Sequence, residues 1–297
     1  MSPEDMTVNP TFSVTIFLPR LRSITAAALE DLRYREPSRK EKNSPTWLPF
    51  MWLQAAYNSF ETLAFVCAND TQDPQRRLEY VLSMPALARV VLEALFNTIL
   101  LLDDLPSNVR WFHRSHWRET VEQRYKLLQR HAKDSNWTEM IAGLERVRDA
   151  IADQCALRRG DLVSHKTLVP KYWPAPSKMS EVARALDRKR LLDFLDDRFY
   201  GELSAAAHLK GSGLTFSIVP FVMDESDERR SEGIELLRAK YFIFTATFLT
   251  AILSELEIAF GIGIASDLRK VWDLLPTWRP EEAGELYEQH YRSRLAS

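Results

Sequence analysis

Residues 241–253, YFIFTATFLTAIL, form the most membrane-like run of the sequence and decide its fold class. Thirteen such residues are too many for an ordinary strand and indicate a helix. Glu255 and Glu257 interrupt the run before it reaches the roughly 20 apolar residues that a membrane span needs. We therefore predict a helix that is buried in a protein core and no membrane association.

A second apolar run, Val90–Leu102, closes a helical pattern that begins at Gln75. Further helical patterns cover residues 21–34, 47–68, 107–133, 136–157, 181–210, 227–261, 266–275 and 281–294. Only 9 of the 297 residues are glycine, about half of the usual share, which favours long helices and few tight turns. The sequence thus predicts an all-α protein, a single domain of about eight to ten helices.

Three segments depart from the helical pattern. Apolar residues alternate over 12–18, which predicts a short strand or an extended arm, so that residues 1–20 precede a helical domain of residues 21–297. A second extended segment is predicted at 214–219. Residues 158–180 hold three prolines and predict a long loop laid over the surface of that domain.

Charge and cysteine content exclude several classes of protein. The formal net charge is −2, so any contact with a polyanion must come from a local basic patch. Two cysteines cannot form a disulfide framework, and the first ten residues lack the basic start and apolar run of a secretion signal. We therefore expect a cytoplasmic protein.

Polar residues interrupt the apolar run of residues 90–102 and the turn before it. Arg89, Glu93 and Asn97 are spaced four apart, and each step turns a helix by about 400°, so they share one face. A helix that is apolar nearly all round should be buried, which places this charged pair near the core. Arg89 and Glu93 should then pair with each other or with another helix.

A second polar ladder, Tyr200, Ser204 and His208, has the same spacing. The six residues are candidate catalytic groups: His208 is suited to act as a general base, and Glu93 to orient it or act as its acid partner. Arg89 is suited to hold a phosphate or carboxylate, and Tyr200 or Ser204 to stabilise an oxyanion. The alternative is that both ladders only join two core helices.

These two ladders resemble those of a bacterial family of helical intracellular proteins known only as a domain of unknown function. The similarity rests on Arg89, Glu93 and Asn97 in one helix and on Tyr200, Ser204 and His208 in a later one. It spans about the central half of the chain. The resemblance implies an all-helical fold and the position of a site, and it implies no reaction.

The stretch 110–118, RWFHRSHWR, is the part of the sequence most typical of nucleic-acid binding. Arg110, Arg114 and Arg118 are four apart and should form one cationic stripe, beside His116 and Trp117. Guanidinium groups bind phosphates and aromatic rings stack on bases. The alternative is an amphipathic helix that buries its aromatic rings and exposes its arginines.

Arg110 and His116 also resemble the arginine–histidine motif of the HEPN helical ribonucleases, in which an arginine steadies the scissile phosphate and a histidine assists attack by the 2′-hydroxyl without a metal. His113 and His116 stand three apart, but no third metal ligand is evident nearby. Neither a metal nor a cofactor is therefore expected.

Three functions follow as hypotheses. The first is a metal-independent ribonuclease or related phosphodiesterase of the toxin or phage-defence kind. The second is a helical sensor or partner-binding module whose polar pocket holds a small anionic ligand. The third is an interaction protein in which the ladders only specify packing. RNA, a small anion and a second copy of the chain are the partners left open.

Overall fold

The regular elements of the protein are helices throughout the part described by the computed structural model, which covers residues 10–35, 46–68, 74–207, 227–275 and 281–296. Most of these helices pack around one continuous apolar core that draws residues from Val14 to Leu295. The predicted all-α, single-domain fold is confirmed.

Six long helices make up most of the chain: α1 (Pro10–Tyr34), α2 (Trp47–Ala68), α3 (Pro74–Asp103), α4 (Leu105–His131), α5 (Thr138–Gln154) and α10 (Asp227–Phe260). The shorter helices are α6 (His165–Leu168), α7 (Met179–Val182), α8 (Leu186–Leu195), α9 (Gly201–Ala207), α11 (Ala265–Leu274) and α12 (Glu282–Leu286). Two π-helical turns, Asp196–Tyr200 and Tyr287–Tyr291, follow α8 and α12 directly.

Helix α10 is the central element, and it packs against α1, α2 and α3. Every residue from 241 to 256 is buried, as the apolar run of the sequence predicts. Its hydroxyl groups need no outside partner, because Thr245, Thr250 and Ser254 each donate a hydrogen bond of 2.7–2.8 Å to the carbonyl four residues earlier. A polar side chain can thus lie in this core at little cost.

Two helical stretches in the described part, Tyr80–Asp103 and Glu232–Phe260, are long and apolar enough to cross a membrane. Their most apolar windows are 61% and 83% buried inside the protein, respectively. Core helices of globular proteins share this combination of composition and burial.

The predicted extended arm at residues 12–18 is wrong, because these residues belong to α1. The apolar alternation does not correspond to the buried positions. The buried residues are spaced by three or four, as in a helix; they are Val14, Phe17, Leu21 and Ile24. Pro19 lies inside the helix despite the hydrogen bond it removes, so packing outweighs the local preference.

The proline-rich segment 158–180 contains short helical turns. These are Arg159–Leu162, α6 and Pro176–Lys178, followed at once by α7. The predicted extended segment at 214–219 lies outside the described residues.

A buried ion-pair cluster joins α8, α10 and the C-terminal segment. Glu255 is fully buried; it pairs with the guanidinium of Arg188, and its Oε1 lies 3.1 Å from Nη1 of Arg294. No local pattern predicts these partners, because they are 67 and 39 residues away from Glu255 in the chain.

Loss of one arginine from this cluster should destabilise the fold. We expect Arg188→Met to lower the free energy of unfolding by about 3 kcal/mol, because a buried charge then loses one of its two partners. Arg198→Met removes an exposed Arg–Glu pair to Glu285 and should cost at most about 1 kcal/mol. Urea unfolding of both variants measures the difference, and equal losses would contradict the structural role of the cluster.

Candidate functional site

The first residues of the two polar ladders, Arg89 and Tyr200, are in contact where α3 packs beside α9. Nε of Arg89 donates to Oε1 of Glu93 at 2.8 Å, and Nη2 of Arg89 donates to the hydroxyl of Tyr200 at 3.3 Å. The Arg89 guanidinium also lies 5.4 Å from the centre of the Tyr200 ring. The expected pairing of Arg89 with Glu93 and with another helix is confirmed.

The π-helical turn Asp196–Tyr200 brings Tyr200 to this position. It ends at Tyr200, immediately before α9, and such a turn shifts the face that the next residues present. Phe199 anchors the turn in the core, 5.2 and 5.1 Å from the rings of Phe244 and Phe248. Ser204 lies half-buried one turn later, and His208 lies outside the described residues.

The charged pair lies at the edge of the core, less deeply than predicted. The side chains of Arg89 and Glu93 are 18% and 37% exposed. The neighbouring apolar residues Leu82 and Val90 are exposed as well, so this face of α3 borders solvent. The apolar residues around Arg89 and Glu93 in the sequence therefore predicted a deeper burial of this pair than the structure has.

Asn97, the third member of the first ladder, has both ends of its amide engaged. Nδ2 donates to the carbonyl of Glu93 at 2.7 Å, and Oδ1 accepts a 2.7 Å hydrogen bond from the indole of Trp173. This arrangement fastens a loop and uses one donor and one acceptor position of the amide.

That loop, residues 169–173, is called the strap here. Side chains of α4 form hydrogen bonds with its backbone at several positions. Arg118 donates to the carbonyls of Val169 and Pro170 at 2.6 and 3.2 Å, and its guanidinium lies 4.1 Å from the centre of the Tyr172 ring. The indole of Trp111 donates to the carbonyl of Lys171 at 3.1 Å.

Trp173 completes the docking of the strap. Its backbone N–H donates to Oγ of Ser115 at 2.6 Å. Its ring packs 5.1–6.4 Å from those of Trp52, Trp111 and Phe112. The sequence analysis did not identify Trp173 as a contact residue. A single tryptophan in a proline-rich segment could have indicated that this segment is anchored there.

The predicted nucleic-acid-binding residues of α4 therefore have different roles: some stabilise the fold and others are exposed. Arg118 holds the strap, and Trp117 is buried against Val121, so neither is available to a ligand. His116 is exposed, with Nδ1 3.9 Å from a carboxylate oxygen of Glu119. Six residues correspond to about 600° of helix, which turns His116 well away from the direction of Arg110.

Arg110 and Arg114 line a groove with a volume of about 1210 Å³. The groove follows α4 from its N-terminal end and is closed on its other sides by residues 155–156, 168–171 and 181–184. His113 and Lys171 also line it. One face of α4 thus holds the strap while an adjacent face opens onto the groove.

The groove carries a net positive charge. The Arg184 guanidinium is paired with Asp104, and Asp103 accepts hydrogen bonds from the backbone N–H groups of residues 184 and 185 at 2.6 and 3.0 Å. Glu181 is paired with Lys178 at 2.6 Å. Among the described residues, no carboxylate forms an ion pair with the remaining cations, which are Arg110, Arg114 and Lys171.

Two further groups in the groove have pKa values shifted by burial. Burial, followed by the charge of His116, lowers the pKa of His113, so its imidazole is neutral at pH 7. Burial raises the pKa of the Cys155 thiol to about 11, and nearby Arg114 offsets only part of this rise. The thiol therefore stays protonated and is a poor nucleophile.

The described residues include no cluster of three metal-ligating side chains. Comparison of the chain with known protein families, with curated proteins and with solved structures found no match. The resemblances to a domain of unknown function and to the HEPN ribonucleases stay predictions.

Because Asn97 fastens the strap, its loss should affect stability rather than ligand binding. We expect Asn97→Ala to lower the free energy of unfolding by about 1–3 kcal/mol, since the Trp173 indole loses its acceptor. Denaturant unfolding measures this change. Normal stability with impaired binding or cleavage would contradict the structural role and restore Asn97 as a site residue.

Proposed function

We propose that the protein binds single-stranded RNA in the groove along α4. One observation carries the proposal: a groove of about 1210 Å³ is lined by three cations, Arg110, Arg114 and Lys171, that form no ion pair in the described structure. The forked guanidinium group is suited to contact phosphate oxygens in pairs. We expect this activity in the cytoplasm.

The length of the groove favours a strand over a small anion. Its lining runs along α4 from Pro106 to Arg114, which corresponds to about 12 Å of helix axis. Arg110 and Arg114 are one turn apart, so one strand can place successive phosphates along them. The rings of Trp111 and His113 line the same groove and offer faces on which bases can stack.

Substitution of the groove arginines tests this proposal. Fluorescence anisotropy of a labelled single-stranded RNA, measured over a range of salt concentrations, gives the affinity and its salt dependence. Three phosphate contacts predict a slope of about −2 in log K against log salt, and Arg110→Ala or Arg114→Ala should each reduce its magnitude by about 0.7. Arg130→Ala, an exposed arginine of the same helix outside the groove, is the matched control and should leave the slope unchanged.

Two outcomes would count against RNA as the ligand. The first is a folded wild-type protein that does not bind the strand, or groove variants that bind it as the wild type does. The second is full displacement of the strand by an equal concentration of a mononucleotide, which would favour the small-anion alternative.

A second candidate function is metal-independent cleavage of RNA by residues of the two polar ladders, as in a toxin or phage-defence effector. The contact between Arg89 and Tyr200 favours it, because it places a phosphate-binding cation beside a hydroxyl donor at one partly open site. His208, one helical turn beyond Ser204 in sequence, is the candidate base, and Glu93 would orient it.

Cleavage of labelled single-stranded RNA in EDTA tests this second function. We expect His208→Ala to slow cleavage by about 10²-fold or more, as loss of a general base does. His116→Ala is the matched control and should cleave normally, because His116 lies outside both the groove lining and the ladders. Absence of cleavage by the folded wild type, or normal cleavage by His208→Ala, would contradict the proposal.

A further inference from the structure

Helices α4 and α5 form an antiparallel pair; the part of this pair from Val121 to Gln154 is called the hairpin here. Arg124 of α4 and Glu145 of α5 lie 3.2 Å apart across it. At its tip the ring of His131 stacks on that of Trp137 at 4.2 Å. Helix α5 packs chiefly along α4, so the hairpin is a layer two helices wide.

One apolar stripe runs the full length of α5. Met140, Leu144, Val147 and Ile151 are spaced by four, three and four residues, so they fall within about 60° of one helix face. Ile151, at the inner end, is 8% exposed and packs in a small core with Trp117. Towards the tip the same stripe opens to solvent: Val147 is 44% and Met140 53% exposed.

The two helices of the hairpin carry opposite charge. Within the hairpin, α4 has three arginines and lysines against one glutamate, and α5 has four acidic residues against two arginines. Lys126 and Arg130 are exposed on α4, and Glu139 and Asp153 are exposed on α5. In a symmetric pair of hairpins, the basic helix of each copy can face the acidic helix of the other.

We propose that the hairpin binds a second copy of this chain and forms a four-helix bundle with two-fold symmetry. The self-complementary charge favours a second copy over an unrelated partner. Helix α5 is about 26 Å long, so a face two helices wide buries on the order of 1,000 Å² over both copies. An interface of that size predicts a weak dimer that dissociates on dilution and in high salt.

Light scattering coupled to gel filtration, over a range of protein concentrations, tests the apolar part of the interface. The wild type should shift from monomer to dimer with concentration, and Val147→Glu should stay monomeric. Val163→Glu is the matched control: it makes the same change at a residue that is 89% exposed outside the hairpin, and it should dimerise as the wild type does. Circular dichroism checks that each variant is folded.

A charge exchange tests the identity of the occupant. One variant carries Lys126→Glu and Arg130→Glu, and the other carries Glu139→Lys and Asp153→Lys. Each should stay monomeric alone because both contacts in its dimer become repulsive, and an equimolar mixture should form a heterodimer because both contacts become attractive again.

The proposal is overturned by a wild type that stays monomeric at every concentration, or by a dimer that Val147→Glu leaves intact. It is also overturned if the mixture of exchanged variants stays monomeric. The last two results would place any self-association on another surface.

Discussion

The burial of residues 241–256 in α10 is the constraint on which the rest of the structure depends. A helix that is apolar on every side must be covered on every side, because its exposure to water would forfeit the hydrophobic free energy of its whole surface. Helices α1, α2 and α3 cover much of it. The one carboxylate in this span, Glu255, fits because arginines from α8 and from the C-terminal segment both reach it. The same helix therefore sets the core and fixes the position of the last helical segment.

The proposed RNA-binding surface lies away from that core, and the strap determines which residues of α4 are left to form it. Helix α4 uses Arg118, Ser115 and Trp111 to hold residues 169–173, and these contacts form one wall of the groove. The arginines one and two turns earlier, Arg114 and Arg110, are left to face the cavity. Because the strap contacts only part of α4, this helix both stabilises the fold and lines the candidate site.

The fold class, the central helix and the pairing of Arg89 with Glu93 could be predicted from sequence, because all three depend on helical spacing alone. The α1 region could not, since an alternating pattern and Pro19 both suggested an extended segment while the packed stripe favoured a helix. The distant partners of Glu255, Asn97 and Arg118 could not be predicted either. They come from distant parts of the chain, and no local pattern encodes a contact across 50 or more residues such as Arg118 to Val169.

The proposed site differs from the one that local spacing suggested for the same reason. Helical spacing predicted one stripe of Arg110, Arg114 and Arg118. In the structure, Arg118 instead binds the strap, and Lys171 of the strap lines the groove with the other two arginines. Hydrogen–deuterium exchange of the protein with and without saturating single-stranded RNA tests this account most directly. It predicts slower exchange in residues 107–114 and 168–171 with RNA bound. Slower exchange confined to residues 200–207, or none at all, would contradict RNA binding in the groove.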